Sequence, residues 1–470
     1  MKQIDVVVIG GGILGCFAAR NLRRWNLSTL LLERGEDVCT GITRSNAAIV
    51  YAGYDNRQGS RKAAMTLRGN AMFQSLCREL DVPFSRCGSL MVSFCREGNA
   101  ALEKKYRAGI VNGVPGLALI SPQQAKELEP MLADGILQAL YAPSTGTVNP
   151  WQLGIAAYEN ACGNGCEVML NTEVLGIVKT DTGYILQTNQ EEIACAMVLN
   201  CAGISADRIQ EMVFAPSIRL FCDGADFIVL DQRAKSPKHI IFHQAAEHGK
   251  GITAVPTTEG NLLLGPTRRP LGAGPYATSR EGLDFLRRDA RRILPDVELE
   301  LTIRSFGGVR PNPHRVIWKD GAYVPDGSTM GGFAIERPAE NFISLLGIKT
   351  PGITCADQLG AYLAEEAAAY LQATANPHFS PYRTAIPKHR GSPVICQCQS
   401  ITKEQILEAI RRGAKTVEGV KRRVGSGMGR CQGGFCMPIV SEILARELGI
   451  ETTDVTKNGP GSYILTGKTK

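Results

Sequence analysis

Four cysteines near the C-terminus have the spacing of metal ligands. One residue separates Cys396 from Cys398, and four residues separate Cys431 from Cys436. Thiolates bind zinc or iron–sulfur clusters, and structural zinc sites usually use Cys-x2–4-Cys pairs. Cys-x-Cys is too tight for the common zinc knuckle, and the glycine-rich stretch 425–430 can turn backbone N–H groups toward sulfide. The pattern favours an iron–sulfur cluster and leaves zinc, or no metal, as alternatives.

A glycine-rich turn near the N-terminus has the spacing of a dinucleotide site. Gly10, Gly12 and Gly15 follow the predicted buried strand 5–9, and Glu33 ends the next predicted strand, 18 positions after Gly15. In this arrangement the glycines permit a tight turn, close approach of a pyrophosphate and helix–strand packing, while the acid accepts hydrogen bonds from ribose. The helix N-terminus attracts phosphate. FAD and NAD both fit; the motif begins the chain and is not repeated, which favours FAD.

Three residue types could serve a substrate. Arg310 offers a planar fork of donors that matches a carboxylate or phosphate, so it is the candidate anion clamp, with a surface ion pair as the alternative. His243 and His248 are candidate proton acceptors, although a lone histidine is more often structural. Tyr51 can hydrogen-bond a substrate but is a poor base at neutral pH.

Hydrophobic periodicity predicts the elements that position these residues. A βαβ unit is predicted over 4–33, and strands dominate 167–200 and 218–265. Thr402 and Gln405 form a predicted capping box, and Pro438 is the predicted first residue of a helix that ends at Leu448. The other predicted helices cover residues 66–80, 121–132, 152–163, 279–294 and 357–371.

Composition limits the class of protein. With 470 residues, 44% apolar and 21% charged, the chain is expected to fold into two or three ordered domains. The net charge of +7 is spread out without a basic run interleaved with aromatics, so we expect no nucleic-acid partner. The sequence contains no run of 18 apolar residues, so we expect no membrane span. Fifteen cysteines without an export signal predict reduced thiols and a cytoplasmic location.

Five motifs occur in the order found in one family of flavoenzymes. The chain therefore resembles the D-amino-acid oxidase/glycerol-3-phosphate dehydrogenase superfamily, over roughly residues 1–372, and most closely the branch with anaerobic glycerol-3-phosphate dehydrogenase large subunits and 2-hydroxyglutarate oxidoreductases. Many relatives carry His at the position of Tyr51, which leaves the catalytic base and the substrate open. The motifs lie at residues 10–15, 45–49, 199–203, 307–311 and 351–354.

The resemblance implies a set of cofactor contacts. In relatives the arginine at the position of Arg310 faces the substrate over the flavin. Residues at the position of Gly352 and the two that follow approach the isoalloxazine ring. Together with the glycine-rich turn and Glu33, the predicted FAD contacts are Ile13, Leu14, Arg34, Thr43, Ser45, Asn46, Cys201, Ala202, Gly203, Gly352, Ile353 and Thr354.

Residues 394–450 resemble a bacterioferritin-associated-ferredoxin-like [2Fe-2S] domain. The resemblance implies that Cys396, Cys398, Cys431 and Cys436 are the cluster ligands. Residues 459–463 resemble the tails of related large subunits, which work with additional subunits. We therefore expect an electron-accepting partner, which could also attach the protein to a membrane surface.

The predicted fold class is α/β. A Rossmann-like FAD-binding domain (about 1–80, 150–215 and 330–372) is interleaved with a mixed-sheet substrate domain (about 81–149 and 216–329). A linker (373–393), a small α-helical [2Fe-2S] domain (394–450) and a tail (451–470) follow.

The predicted function is an FAD-dependent dehydrogenase of a small anionic alcohol, first sn-glycerol-3-phosphate. Electrons would pass from FAD through the cluster to a partner. The alternatives are 2-hydroxy acids such as 2-hydroxyglutarate, amino or imino acids such as hydroxyproline or opines, and an electron-transfer subunit with a degenerate active site.

Overall fold

The computed structural model describes residues 2–244, 251–271, 276–328, 330, 332–388 and 391–467; His248 lies outside these ranges. The strands are β1 (Lys2–Ile9), β2 (Thr29–Leu32), β3 (Ile49–Val50), β4 (Phe84–Ser85), β5 (Ser89–Ser93), β6 (Ala118–Ile120), β7 (Gln138–Ala142), β8 (Gly146–Val148), β9 (Glu167–Met169), β10 (Val174–Lys179), β11 (Tyr184–Thr188), β12 (Glu192–Asn200), β13 (Ile218–Leu230), β14 (Ile240–His243), β15 (Thr253–Pro256), β16 (Leu262–Gly265), β17 (Arg269–Pro270), β18 (Thr302–Lys319), β19 (Ala322–Pro325), β20 (Ala334–Ala339), β21 (Phe342–Leu346), β22 (Val394–Cys396) and β23 (Ile401–Thr402).

The helices share an amphipathic or fully buried apolar pattern that packs against these strands. They are α1 (Ile13–Leu22), α2 (Arg61–Glu79), α3 (Arg96–Asn112), α4 (Pro122–Leu128), α5 (Pro150–Gly163), α6 (Ala206–Glu211), α7 (Arg280–Ile293), α8 (Ala356–Leu371), α9 (Lys403–Arg411), α10 (Val417–Val424) and α11 (Cys436–Leu448).

The first sheet carries the predicted dinucleotide turn. Its strand order is β10-β11-β12-β1-β2-β9, and β21 also pairs with β12. The pairs β9–β2, β2–β1, β1–β12 and β12–β21 are parallel. Parallel strands buried on both faces read as near-continuous apolar runs, as in β1 and β2. Helices α1, α5 and α8 cover one face, with Phe17 and Leu359 fully buried between them.

The second sheet is mixed and larger. Its strand order is β19-β18-β13-β16-β15-β14-β5-β7-β6, with β17 on β13. The long strands β13 and β18 run antiparallel in register from Ile218–Arg315 toward Leu230–Thr302. Helix α7 packs on one face through Leu286, and α3 packs on the other through Leu102. This sheet forms the wall opposite the glycine-rich turn.

The C-terminal unit has its own apolar core. Helices α9, α10 and α11 bury Ile406, Val420 and Leu444 against one another, and Val455 from the tail joins them. Thr402 and Gln405 form the predicted capping box at the start of α9. The predicted fold class, with interleaved α/β layers and a small helical C-terminal unit, is confirmed.

Buried ion pairs fasten the C-terminal unit to the first sheet. Arg422 donates to the Asp37 carboxylate at 2.8 Å, and Arg423 donates to the same carboxylate at 2.7 and 2.9 Å. Arg412 and Arg383 both reach Glu159 on α5, at 3.2 and 2.7 Å. The proline-rich segment before the unit is therefore docked along the α/β layers.

Several predicted boundaries were wrong for identifiable reasons. Helix α4 ends at Leu128 because Pro130 restricts the residue before it. Helix α11 begins at Cys436 rather than Pro438, which still lies in the first turn, where N–H groups have no intrahelical acceptor. Helices α3, α6 and α10 were not predicted. Among the described residues, no helix combines the length and the apolar character needed to cross a bilayer.

Candidate active site and cluster site

A cavity of about 350 Å³ lies where the carboxyl ends of the parallel strands face the second sheet. Gly10 and Cys201 follow β1 and β12, and their N–H groups bond Leu32 and Ile9 at 2.8 Å each. Parallel strands open ligand crevices at this edge. Of the predicted site residues, the cavity is lined by Gly10, Gly12, Ile13, Leu14, Glu33, Arg34, Thr43, Ser45, Asn46, Tyr51, Cys201, Ala202, Gly203, Arg310, Gly352 and Ile353.

The glycines act as the turn requires. Gly10 has a φ of +105°, and a Cβ there would lie 2.6 Å from the Cys201 carbonyl oxygen. A Cβ at Gly12 would meet only the Thr43 hydroxyl, at 3.6 Å, so bare backbone faces the cavity. Gly15 does not line the cavity; a Cβ there would lie 1.9 Å from the Gly10 carbonyl oxygen, which places its role in helix–strand packing.

The N-terminus of α1 has backbone N–H groups that can bind phosphate. The Thr43 hydroxyl accepts a hydrogen bond from the Ile13 N–H at 3.0 Å, and Gly12 supplies no side-chain cap. The remaining first-turn donors and the helix dipole favour an anion at this point. Glu33 accepts from the N–H groups of Gly11 and Gly35 at 2.6 and 2.7 Å, which fixes a carboxylate beside the turn. These features fit the adenosine and pyrophosphate parts of FAD.

Arg310 on β18 and Tyr51, which directly follows β3, line the same cavity. Within the described part of the chain, no carboxylate pairs with the Arg310 guanidinium. Burial raises the pKa of Tyr51 to about 12, against the opposing effect of Arg310. The phenol is therefore protonated at neutral pH and available as a donor, not as a base.

Lys349 is a functional candidate that the sequence interpretation missed. It lines the cavity and donates a hydrogen bond to the Asn312 side chain at 2.6 Å. Partial desolvation, followed by the positive charge of Arg310, lowers the pKa of Lys349. Its position three residues after the buried strand β21 was the available sequence signal, because a charged residue just beyond a buried parallel strand lies at the ligand edge of the sheet.

Two predicted residues lie elsewhere. His243 is buried at the end of β14 and its Nδ1 lies 3.1 Å from the Asp289 carboxylate. Because His243 does not line the cavity, the structure does not support it as the base. The Thr354 hydroxyl accepts from the Tyr51 N–H at 2.9 Å, so Thr354 holds Tyr51 instead of lining the cavity.

The four predicted cluster cysteines form two close pairs. Cys398 and Cys431 place their sulfur atoms 3.6 Å apart, and the Cys396 and Cys436 thiols share a hydrogen bond. Two thiolates on one tetrahedral metal stand about 3.8 Å apart for a metal–sulfur bond of about 2.3 Å. Among the described residues, no group of three or more ligand side chains converges on a single ion. Two pairs fit a binuclear cluster better than a mononuclear zinc site.

The surroundings favour a thiolate at one cysteine of each pair, Cys396 and Cys431, while the hydrogen bond with Cys396 raises the pKa of Cys436. The hydrogen bond from Cys436, and then backbone N–H groups including that of Gly427, lower the pKa of Cys396 to about 6. The backbone N–H of Phe435 lowers the pKa of Cys431. A Cβ at Gly429 would lie 2.2 Å from the Cys398 Cβ, so the loop needs glycine to close around these sulfurs.

The fold and the cavity define a flavin-binding oxidoreductase architecture with an added cysteine-bearing unit. Residues 5–366 match the family model described as FAD dependent oxidoreductase, and residues 394–446 match the BFD-like [2Fe-2S] binding domain. The chain belongs to the FAD-dependent oxidoreductase family. It is an enzyme of the glycerol-3-phosphate dehydrogenase type, with FAD and a [2Fe-2S] cluster as cofactors.

The chain is similar to several individual proteins. A glycerol 3-phosphate dehydrogenase of Caloramator mitchellensis is 40% identical over 493 aligned positions, covering 100% of this chain and 99% of that protein. The mitochondrial L-2-hydroxyglutarate dehydrogenase of Homo sapiens is 30% identical, covering 62% of this chain and 66% of the human protein. The FAD-bound L-α-glycerophosphate oxidase of Mycoplasma pneumoniae superposes with a TM-score of 0.74 at 22% identity, over 83% of this chain and 100% of the oxidase.

Proposed function

We propose that this protein is a dehydrogenase that oxidises sn-glycerol-3-phosphate and delivers the electrons from FAD through the [2Fe-2S] cluster to a partner acceptor. The observation that carries the substrate is the pair of cations, Arg310 and Lys349, on one cavity. The full-length similarity to a protein named glycerol 3-phosphate dehydrogenase supports the same substrate.

The charge of the cavity suits a phosphate monoester. Above its second pKa of about 6 a phosphate monoester carries nearly two negative charges. Arg310 supplies a bidentate fork and Lys349 a point charge. Glu33, beside the glycine-rich turn, is the one acidic side chain among the described residues that line the cavity. Each cation–phosphate contact at 4 Å contributes between about 1 kcal/mol in water and about 4 kcal/mol near a protein surface.

The chain's residues bind and orient the substrate. Bound FAD would supply the acceptor for the hydride from the carbinol carbon, and the hydroxyl proton would leave to solvent. We infer that Arg310 and Lys349 hold the phosphate and that the protonated Tyr51 phenol donates a hydrogen bond to the substrate. Thr354 and Asn70 fix the Tyr51 backbone, through its N–H and its carbonyl oxygen, at 2.9 and 3.1 Å.

The substrate test is anaerobic reduction of the bound flavin, followed by absorbance. The panel contains sn-glycerol-3-phosphate, its enantiomer, L-2-hydroxyglutarate, hydroxyproline and an opine. We expect bleaching fastest with sn-glycerol-3-phosphate. L-2-hydroxyglutarate is the second candidate because of the human relative at 30% identity. Bleaching by hydroxyproline or an opine alone would replace the phosphate assignment, and bleaching by none would favour the electron-transfer subunit.

The electron route has its own test. We propose that Cys396, Cys398, Cys431 and Cys436 ligate the cluster and that a partner subunit accepts its electrons. Cys431 is exposed, so this side of the cluster is accessible to a partner. In Cys431→Ser we expect substrate to reduce the flavin at the wild-type rate while reduction of an added one-electron acceptor falls at least tenfold. Cys222→Ser, a cysteine outside the pairs, is the control. Equal acceptor rates in both variants would remove the cluster from the route.

We further propose that the protein works in a reducing compartment, the cytoplasm. The support is that none of the 15 cysteines, all of which lie among the described residues, forms a disulfide, which is typical of proteins kept reduced.

A further inference from the structure

A second cavity of about 780 Å³ lies between the α/β layers and the C-terminal unit. It shares Ser45, Asn46, Ala48 and Tyr276 with the first cavity, so a single layer of residues separates the two. On the far side it is lined by Gln399 and Gln432, the chain neighbours of Cys398 and Cys431. Anything bound there would lie between the flavin site and the cluster.

The charged part of this second cavity favours an anion. It is lined by two acids, Glu259 and Glu418, and by five basic side chains: Arg44, Arg304, Lys421, Arg422 and Lys457. Both acids already have partners in the protein: Glu418 pairs with Lys421 at 3.3 Å, and Glu259 accepts from Asn149 at 2.8 Å. Because Lys421 is paired with Glu418 and Arg422 with Asp37, three cations, Arg44, Arg304 and Lys457, face one acid, Glu259, which leaves an excess of two positive charges for a ligand.

Buried donors without acceptors are a second, independent observation. Arg422 is 3% exposed; its Nη2 donates to Asp37, but its Nε and Nη1 have no acceptor among the described residues. The indole Nε1 of Trp151, which also lines this cavity, has no acceptor in the same described part of the chain. Unpaired buried donors cost free energy, so native proteins rarely keep them without a ligand or ordered water.

The rest of the wall is apolar and partly aromatic. Trp151, Phe306, Leu263, Val229 and Met428 line it. A planar ring packs well against aromatic and thioether side chains, and a cavity of this size lies within the range that encloses small ligands.

We propose that the second cavity is a binding site for a mononucleotide: the planar base lies against Trp151 and Phe306, and the phosphate faces the basic side chains. Phosphate explains the cationic excess, and a heteroaromatic ring explains the apolar wall. The inference does not depend on the substrate of the first cavity, because binding can be measured without turnover. Adenine and flavin mononucleotides both combine a phosphate with a planar heteroaromatic ring, and the experiment distinguishes between these two ligands.

The experiment is equilibrium dialysis of the holoenzyme, with FAD already bound so that the first cavity is filled, against AMP, FMN or inorganic phosphate. We expect one AMP or FMN per chain, bound more weakly as salt is raised. The variants Arg304→Gln and Lys457→Gln remove cavity cations that make no ion pair with another described residue. Each should weaken binding roughly fivefold. Lys104→Gln, an exposed charge on α3 that lines neither cavity, should leave binding unchanged.

A fluorescence measurement keeps the test informative if one variant folds poorly. Trp151 is one of three tryptophans, so mononucleotide binding should quench part of the emission, and Trp151→Phe should lose that part. Retention of AMP identifies the adenine source, and retention of FMN the flavin source. Binding of inorganic phosphate alone, binding unaffected by both cation variants, or no binding at all would overturn the proposal.

Discussion

Replacing Asp37 by Asn removes the one carboxylate that holds both Arg422 and Arg423. Asp37 is 2% exposed, and its two oxygens accept three bonds of 2.7–2.9 Å from these guanidinium groups. The neutral amide of the variant keeps the shape but leaves two positive charges almost without compensation in a dry interface. Removing one partner of a buried pair costs about 3–5 kcal/mol. Opening of the C-terminal unit should therefore become roughly 140- to 4,000-fold more frequent.

The assay is hydrogen exchange of α10 followed by mass spectrometry, with cluster absorbance recorded during heating. In Asp37→Asn we expect exchange of residues 417–424 to accelerate while strands of the first sheet keep the wild-type rate. Glu103→Gln is the control, because its pair with Arg107, at 3.4 Å, is exposed and worth at most about 0.5 kcal/mol. Unchanged exchange of α10 in Asp37→Asn would refute the view that this pair fastens the unit.

The same pair gives a pH dependence with a definite sign. The two guanidinium groups outweigh burial and lower the pKa of Asp37 in the folded protein. A carboxyl with a lowered folded pKa stabilises fully above its unfolded pKa of about 3.9 and loses that contribution as pH falls through the folded value. In the wild-type protein the C-terminal unit should therefore detach from the α/β layers only at acid pH, and Asp37→Asn should lack that acid transition.

Three further predictions concern the first cavity. Arg310→Ala should weaken transition-state binding of sn-glycerol-3-phosphate by about 2–4 kcal/mol, as for truncated charge pairs, and kcat/KM should fall accordingly. An unchanged kcat/KM would remove Arg310 from the site. Since the pKa of Lys349 is lowered, KM should rise as pH increases toward the usual lysine value of about 10.4. Lys349→Arg, which stays charged, should abolish that rise, and a rise that persists would point to another group. Gly15→Ala should lose FAD and lower Tm, because its Cβ would lie 1.9 Å from the Gly10 carbonyl oxygen; unaltered FAD content would contradict the close packing.

Local patterns were enough to predict the dinucleotide edge. The glycine spacing and the acid that follows β2 fit the way parallel strands end at one edge, whereas the small residues after β12 were expected only from the family resemblance. Likewise the capping box at Thr402 depends only on residues three apart. These features are set by short-range geometry, so one sequence reveals them.

Contacts between residues far apart in the sequence could not be predicted from the sequence. The Asp37–Arg422 pair joins residues 385 positions apart. The contact of Lys349 with Asn312 depends on how β18 crosses the end of β21. His243 had a polar sequence context, yet it is buried against Asp289 on α7. Helix α3 was missed because Gly98 and Gly109 weaken its pattern; a Cβ at Gly109 would lie 2.2 Å from Leu117, so packing requires the glycine.

The central claim is that one chain oxidises sn-glycerol-3-phosphate with FAD and holds a [2Fe-2S] cluster for onward electron transfer. The most direct measurement is the anaerobic visible spectrum of the purified protein before and after addition of sn-glycerol-3-phosphate. We predict that the flavin band bleaches over a remaining cluster spectrum, and that Arg310→Ala needs far more substrate for the same change. A flavin band that sn-glycerol-3-phosphate leaves intact while another compound of the panel bleaches it would contradict the claim.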